Sequence, residues 1–482
     1  MLTVRSYVNG EWRDGSVTVD TNPAKPDEIV AEVRLADHRT AREACLAART
    51  QFLNWRNTPA PARGEILRKA ADALERRADQ VGREFCREEG KTLAEAVAEV
   101  RRAVAILRYY AAQTLEPDGE TFPSASATTL LYARREAVGV VAAITPWNFP
   151  MAIPAWKIAP ALAYGNTVVW KPAELVPLTS LRLLEALIEG GVPAGVVNLV
   201  VGHGSDVGDA IVESPEVSAI TFTGSNAVGR SIQEKATRLG KKVQLELGGK
   251  NPAIVLADAD LSQAVELVAR GAYLSAGQKC TATSRVIVEK PIVEEFTDRL
   301  RQVATNWKLG EPLQADTRVG PLVSETALKS VLGYIETCVR DGGQVVAGGG
   351  RADTLGTGYF VQPTVLTEVA LDSPAVREEI FGPVVTILAA GDYAEAINLA
   401  NETPFGLSAS LFTRDLGRAL SFARDIQAGV VKINQESAGI EFQAPFGGYK
   451  ESSTGSREQG KVAREFFTQW KTVYIDPPGA SR

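Results

Sequence analysis

Three short stretches of this chain hold residues that could do chemistry. Gly277-Gln278-Lys279-Cys280-Thr281 places a cysteine among polar residues, just ahead of a strand-like run at Val286. A structural cysteine ordinarily sits in an apolar periodic face, as Cys45 does, and Cys280 does not. A nearby cation or helix N-terminus would make its thiolate available as a nucleophile. Leu245-Glu246-Leu247-Gly248-Gly249-Lys250 sets a carboxylate at the end of an apolar run, where partial burial would raise its pKa toward the range of a general base. Phe222-Thr223-Gly224-Ser225-Asn226-Ala227-Val228-Gly229 is a glycine-rich turn leading into a helix, whose free N–H groups suit a phosphate. Taken singly, an inert cysteine, a solvated strand-end glutamate and an ordinary strand-to-helix turn fit equally well. A second run, Gly202-His203-Gly204-Ser205-Asp206-Val207-Gly208, has one residue too many before its last glycine for a dinucleotide fingerprint. It reads as a helix-capping turn with Ser205 or Asp206 as the cap.

Other chemistries find little support. The two histidines, His38 and His203, lie in no catalytic context, so covalent chemistry at a cysteine needs a different base. Cys45, Cys86, Cys280 and Cys338 are far apart and lack metal-ligand spacing, so no metal site is expected. The net charge of -6 comes without a basic cluster, which excludes nucleic acid as a partner. No stretch approaches the roughly 18 apolar residues of a membrane span, and the start of the chain lacks a signal core; a cytoplasmic location is expected.

These residues must be positioned by a large scaffold. At 482 residues, 45% hydrophobic and 23% charged, the chain should form two or three packed domains. After a strand-like segment at Ser6 to Trp12, residues up to about 115 have helical periodicity, with Thr92 and Glu95 forming a capping box. From Val138 onward, apolar runs at Val138 to Ile144, Thr167 to Trp170, Val196 to Val201, Ala219 to Phe222 and Val243 to Leu247 alternate with helical stretches. That alternation predicts an α/β fold with a parallel, doubly wound sheet, and ligands bind such sheets at the strand ends. A second α/β block runs from Pro252 through Ile433. Thr128 to Arg135, after a turn-rich stretch from 116, and Thr472 to Ile475 read as exposed edge strands.

Together with Thr145-Pro146-Trp147-Asn148-Phe149-Pro150, Trp170-Lys171-Pro172-Ala173-Glu174, Glu378-Glu379-Ile380-Phe381-Gly382-Pro383-Val384 and Pro445-Phe446-Gly447-Gly448-Tyr449-Lys450, these motifs resemble the aldehyde dehydrogenase superfamily over essentially the whole chain. The resemblance implies that Cys280 attacks an aldehyde, and that the Asn148 amide and the Cys280 N–H receive the oxyanion. It also implies that Glu246 activates the water that hydrolyses a thioester. Lys157 and Glu458 match a proton relay, or else a structural ion pair. Lys171 and Glu174 match the adenosine-ribose site, Gly224, Ser225 and Gly229 the pyrophosphate turn, and Trp147, Leu247, Glu379 and Phe381 the nicotinamide region. Glu174 would repel a 2′-phosphate, so NAD is expected, with NADP possible. The intact Glu246 argues against the coenzyme-A-dependent branch.

Phe149, Ile153, Trp156, Thr281 and Phe446 are the substrate-pocket residues by the same resemblance, and no carboxylate clamp is visible among them. Trp156 stands where succinic semialdehyde dehydrogenases often carry arginine. The wording of Ala276 to Arg285 is most similar to the α-ketoglutaric semialdehyde (2,5-dioxopentanoate) dehydrogenases. Broad-specificity aliphatic, aromatic or succinic semialdehyde oxidation stays open, as do a silent nucleotide-binding protein and a cofactor-independent esterase. The implied architecture is a Rossmann-like cofactor domain (1–116 and 138–248), a second α/β catalytic domain (249–450) and a small β oligomerisation element (117–137 and 466–482). A homodimer or homotetramer built through that element is expected.

Overall fold

The computed structural model describes residues 2–478, so residues 479–482 of the expected oligomerisation segment lie outside the described residues. The apolar runs after Val138 form one eight-stranded sheet in the order Ser453–Thr454, Lys242–Glu246, Val217–Thr223, Val140–Ile144, Thr167–Lys171, Val197–Leu199, Ser6–Val8, Glu11–Arg13. Its five central strands are parallel, and the strands at both margins are antiparallel. Every residue of Val140–Ile144 is buried. Val141 and Ala143 enter one hydrophobic core, while Val140, Ala142 and Ile144 enter another on the opposite face. Burial on both faces is what makes such strands continuous apolar runs rather than alternating ones.

The strand order reverses between Val140–Ile144 and Val217–Thr223. A crevice opens at such a switch point beyond the carboxyl ends of the strands. The loop at Thr145–Asn148 and the turn at Gly224–Ser225 leave the sheet there. A second, seven-stranded sheet takes its strands from Asn251–Val255 to Val430–Ile433, with its own core. Glu246 ends the last parallel strand of the first sheet and Asn251 begins the second, so the two sheets meet at Gly248-Gly249.

The N-terminal part departs from the sequence reading. The segment Ser6 to Trp12 is a hairpin, turned at Asn9 and Gly10 with φ of 52° and 88°, the left-handed pair that a two-residue hairpin turn requires. Two further strands, Ser16–Asn22 and Lys25–Leu35, form a small sheet with Leu2–Val4. Lys25–Leu35 has charged residues at Lys25, Asp27, Glu28, Glu32 and Arg34 and is partly exposed, which hides it from a search for apolar runs. The capping box is in place: Thr92 and Glu95 start the helix Leu93–Gln113.

The two expected edge strands pair with each other. Leu130–Ala137 lies antiparallel to Thr468–Ile475, from Thr468 opposite Ala137 to Ile475 opposite Leu130. The turn-rich stretch before them supplies a third strand, Gly119–Phe122. Leu130, Trp470, Tyr474 and Ile475 are exposed on this sheet. Among the described residues no helix is long and apolar enough to cross a membrane.

Asn166 joins the tail to the first sheet. Its Nδ2 donates to the carbonyls of Ala161 at 3.2 Å and Phe467 at 2.9 Å, and its Oδ1 accepts from the Gly139 N–H at 3.1 Å. Replacing this fully buried amide by alanine orphans the Gly139 N–H, at a cost of about 1 to 3 kcal/mol, and removes one of two donors from each of the Ala161 and Phe467 carbonyls, which keep the Asn166 and Val138 N–H groups. Asn166→Ala should therefore lower Tm by several degrees in a thermal melt, and an unchanged Tm would show that water replaces these bonds.

Candidate active site

Cys280 follows a tight turn in which Ser275, Ala276 and Gly277 have φ of 55°, 51° and 69°. Such backbone is costly for residues with a Cβ. It is held by Glu95, whose Oε1 accepts from the Ser275 N–H at 2.8 Å and from its hydroxyl at 3.0 Å. At Gly277 a Cβ would lie 2.1 Å from the Gly382 carbonyl oxygen, so only glycine fits. The Cys280 carbonyl accepts from Asn251 Nδ2 at 2.8 Å, which fixes the turn from its other end. The thiol stays partly open to a cavity. Burial, then the negative fields of Glu379 and Glu246, push its pKa up.

Asn148 is buried, and its side-chain amide donates to the Gln278 carbonyl at 3.0 Å, two residues before Cys280. One amide hydrogen is thus spent on orientation and the second is left for another acceptor. Lys91 holds Asn148 from behind by donating its ammonium to the Asn148 carbonyl. Burial alone would depress the Lys91 pKa, but the Glu89 and Glu99 carboxylates outweigh it and the value ends above the ordinary one. Glu99 in turn accepts from the Met151 and Ala152 N–H groups at 3.0 and 3.2 Å, satisfying the start of the helix Ala152–Ala163. Neither Lys91 nor Glu99 carries a local sequence signal, since their partners lie some fifty residues away.

Glu246 is buried at the end of its strand, opposite Ser453 of the returning strand Ser453–Thr454. Ser453 Oγ donates to its Oε2 at 2.6 Å, while Oε1 has no partner and faces the backbone of Gly447, where a Cβ would come within 2.7 Å. Burial and then the charge of Glu458 raise its pKa well above the ordinary value; Ser453, Lys157 and Arg457 pull the other way. Glu458 forms a buried ion pair with Lys157 and also accepts from the Trp156 indole N–H at 2.8 Å. Lys157 donates to the Thr221 hydroxyl at 2.9 Å as well. Trp156 therefore occupies its position as a hydrogen-bond donor to Glu458 and as a wall of the cavity.

The remaining predicted residues lie at, or against, the carboxyl ends of the first sheet's parallel strands. Ser225 caps the helix Asn226–Arg238, and Gly224 donates its N–H to the Glu246 carbonyl at 3.1 Å. A Cβ on Gly229 would lie 2.5 Å from Leu247, so this glycine lets the helix press against the strand end. Gly248 and Gly249 wrap Glu379: its Oε1 accepts from the Gly249 N–H at 3.0 Å, and a Cβ on Gly248 would meet its Oε2 at 2.5 Å. Burial raises Glu379 to about 7. Phe381, itself left-handed at φ 59°, meets Trp147 edge to face with centroids 5.4 Å apart. Lys171 is buried and lies 3.7 Å from Glu174. The donor set fits a dinucleotide: a helix N-terminus suits phosphate, and the Glu174 carboxylate beside the buried Lys171 ammonium, and separately Glu379, suit ribose hydroxyls.

One sequence expectation is corrected here. Gly204–Gly208 forms a π-helical turn without a side-chain cap of its own, so neither Ser205 nor Asp206 caps it. Glu174 does so from the neighbouring loop, accepting from the Gly204 N–H at 3.0 Å and pairing with His203. A distant carboxylate wins because it stands in front of the helix N-terminus.

A cavity of about 620 Å³ leads to Cys280. Phe149, Ile153, Trp156, Thr281 and Phe446 all line it, with Leu274, Ile440 and Phe442. Its wall also carries Lys91, Arg102, Lys279 and Glu436, which the sequence reading does not single out. Glu246 approaches from the Phe446-Gly447 side, where Phe446 and Glu458 exchange backbone hydrogen bonds at 2.8 Å.

Residues 12–473 match the sequence profile of the "Aldehyde dehydrogenase family". The chain is 46% identical over 480 residues to an α-ketoglutaric semialdehyde dehydrogenase of Bacillus subtilis (strain 168), covering 98% of each. It is 43% identical to a 2,5-dioxopentanoate dehydrogenase of Saccharolobus solfataricus, covering 96% of this chain and 98% of that one. Among solved structures, betaine aldehyde dehydrogenase from Staphylococcus aureus in complex with NAD+ superposes with a TM-score of 0.96 at 36% identity, over 100% of this chain and 96% of that one. On its sequence and on its fold, this chain belongs to the aldehyde dehydrogenase family.

Proposed function

We propose that this chain oxidises an aldehyde to a carboxylate with NAD, and that its substrate is α-ketoglutaric semialdehyde. The observation that carries the chemistry is the setting of Cys280: its thiol lines the cavity, the Asn148 amide is tied to the backbone two residues before it, and the field of the buried Glu246 carboxyl acts on it. The names of the relatives from Bacillus subtilis and Saccharolobus solfataricus support the substrate. The NAD+ in the Staphylococcus aureus structure supports the cofactor.

Cys280 Sγ gives its proton to water in the open cavity and attacks the aldehyde carbon, the C=O π bond breaks, and the carbonyl oxygen becomes a tetrahedral oxyanion. The free Asn148 amide hydrogen and the Cys280 N–H receive that charge; one such donor is worth about 3 to 4 kcal/mol. The turn at Gly224 and Ser225, with Lys171, Glu174 and Glu379, would hold NAD, which would supply the acceptor for the hydride lost from the tetrahedral carbon as the adduct on Sγ becomes a thioester. Glu246 then takes a proton from water, the water oxygen bonds to the acyl carbon, and the C–S bond breaks to release the carboxylate and the thiol. Lys157 and Glu458 hold the far side of Glu246. Their negative member raises its pKa, so the proton Glu246 takes is held firmly until it passes on. The exposed face with Trp470, Tyr474 and Ile475, on a sheet with an open edge at Thr468–Ile475, supports assembly into a homodimer or homotetramer. The proposed division is a cofactor domain at 1–116 and 138–248 and a catalytic domain at 249–450; the returning strand Ser453–Thr454 then belongs to the first sheet.

Cys280→Ala should abolish NADH formation with every aldehyde. Glu246→Gln should keep a rapid burst of about one NADH per subunit while steady turnover falls by about 10² to 10⁴; steady turnover at the wild-type rate would remove Glu246 from the base role. Because an ionised base is required and its pKa is raised, wild-type kcat should climb with pH into the alkaline range. Glu246→Gln should flatten that limb. Glu174→Gln removes the charge that opposes a 2′-phosphate, so kcat/KM for NADP relative to NAD should rise about tenfold; a ratio that stays put would assign the preference elsewhere.

A further inference from the structure

Four cations line the cavity that ends at Cys280, and they differ in what neutralises them. Lys91 is paired with Glu99 at 2.8 Å and Glu89 at 3.7 Å, and Arg101 with Asp79 at 3.4 Å. Lys279 donates to the Arg270 carbonyl at 3.2 Å, with Glu436 as its nearest negative field. Arg102 has no acid in contact among the described residues. Its Nη2 donates to the Ile440 carbonyl and its Nε is buried without a partner. Glu441 and Glu99 act on it only from a distance, and burial lowers its pKa. A partly desolvated guanidinium with idle donors, in a wall otherwise built of Phe149, Ile153, Trp156, Ile440 and Phe442, is expensive unless an anion meets it.

The placement along the helix Leu93–Gln113 gives that anion a position. Glu95, Glu99 and Arg102 are spaced four and three residues apart and so share one helix face. Glu95 grips the turn before Cys280, and Arg102 stands two turns farther along, about 10 Å up the axis. We propose that Arg102 is the anchor for the far carboxylate of the substrate, so that the site selects short aldehydes that carry a carboxylate at the end opposite the carbonyl under attack. A planar guanidinium binds a carboxylate through two parallel N–H donors, and Nη1, which has no partner among the described residues, with the second hydrogen of Nη2 supplies that pair. This assignment rests on the aldehyde-oxidising reading given above and supplies the clamp missing from the five pocket residues. Glu436, with one buried oxygen unpartnered, and the exposed Glu441 flank the same wall. They disfavour a carboxylate along the stretches of wall they occupy, and Arg102 is a cation there without an acid in contact among the described residues.

The test compares α-ketoglutaric semialdehyde, succinic semialdehyde and valeraldehyde on the wild type, Arg102→Leu and Arg102→Lys. It also includes binding of α-ketoglutarate, the expected product, by calorimetry. The wild type should prefer the carboxylated aldehydes. In Arg102→Leu, the kcat/KM of the preferred one relative to valeraldehyde should fall about thirty- to a hundred-fold, chiefly through KM. α-Ketoglutarate binding should weaken by at least about tenfold, and Arg102→Lys should recover part of both. Because Arg102 also holds Ile440, valeraldehyde turnover reports on damage to that loop. A preference that survives Arg102→Leu, or a loss shared equally by valeraldehyde, overturns the anchor alone. A wild type that treats valeraldehyde as well as either carboxylated aldehyde overturns both the anchor and the substrate. A preference for succinic semialdehyde that is lost in Arg102→Leu supports the anchor and replaces the five-carbon substrate by a four-carbon one.

Discussion

The two hydrogen bonds from Ser275 to Glu95 are the interaction on which the rest of the site depends. They hold a run of left-handed residues that would otherwise relax, and that run decides where the Cys280 thiol stands. Glu95 can do this because it also closes the capping box at Thr92, so its carboxylate is fixed at a helix start. One helical turn on, Glu99 satisfies the start of the helix Ala152–Ala163 and binds the ammonium that holds Asn148. Cys280 and Asn148 are thereby referred to a single rigid rod.

The electrostatics of the site follow from crowding acids around a thiol in a place poor in water. Glu246, Glu379 and Cys280 all have raised pKa values, and burial is the first cause for each. The fields of the two carboxylates add to that of burial at the thiol. A raised thiol pKa disfavours the thiolate, the form of cysteine open to adventitious chemistry. The buried ion pair of Lys157 and Glu458 sits behind this group and fixes the sign of the field that Glu246 feels.

Much of the chemistry was legible in the sequence because it resides in contiguous motifs. Cys280, Glu246 and the turn at Gly224 each stand at a strand end or tight turn, where glycines and polar residues interrupt an apolar pattern. The groups that orient them were not legible. Glu95 reaches Ser275 across 180 residues, and Ser453 reaches Glu246 across 207. Helical periodicity marks which face is buried but not which far-off backbone it meets. Lys91, Glu99 and Arg102 thus sat in a segment that reads only as scaffold. The turn at Gly204 shows the same limit from the other side: its local residues offered a cap, and Glu174 supplied it from another loop.

The strand Ser453–Thr454 crosses back to pair with the strand that ends in Glu246, and Glu458 follows it into contact with Lys157. During synthesis Cys280 leaves the ribosome well before these residues do. A nascent chain that already displays Cys280 still lacks the Ser453 hydroxyl that binds Glu246 and the Glu458 carboxylate whose charge acts on it. Glu246 therefore gains its full set of partners late in translation, after every strand of the second sheet has emerged.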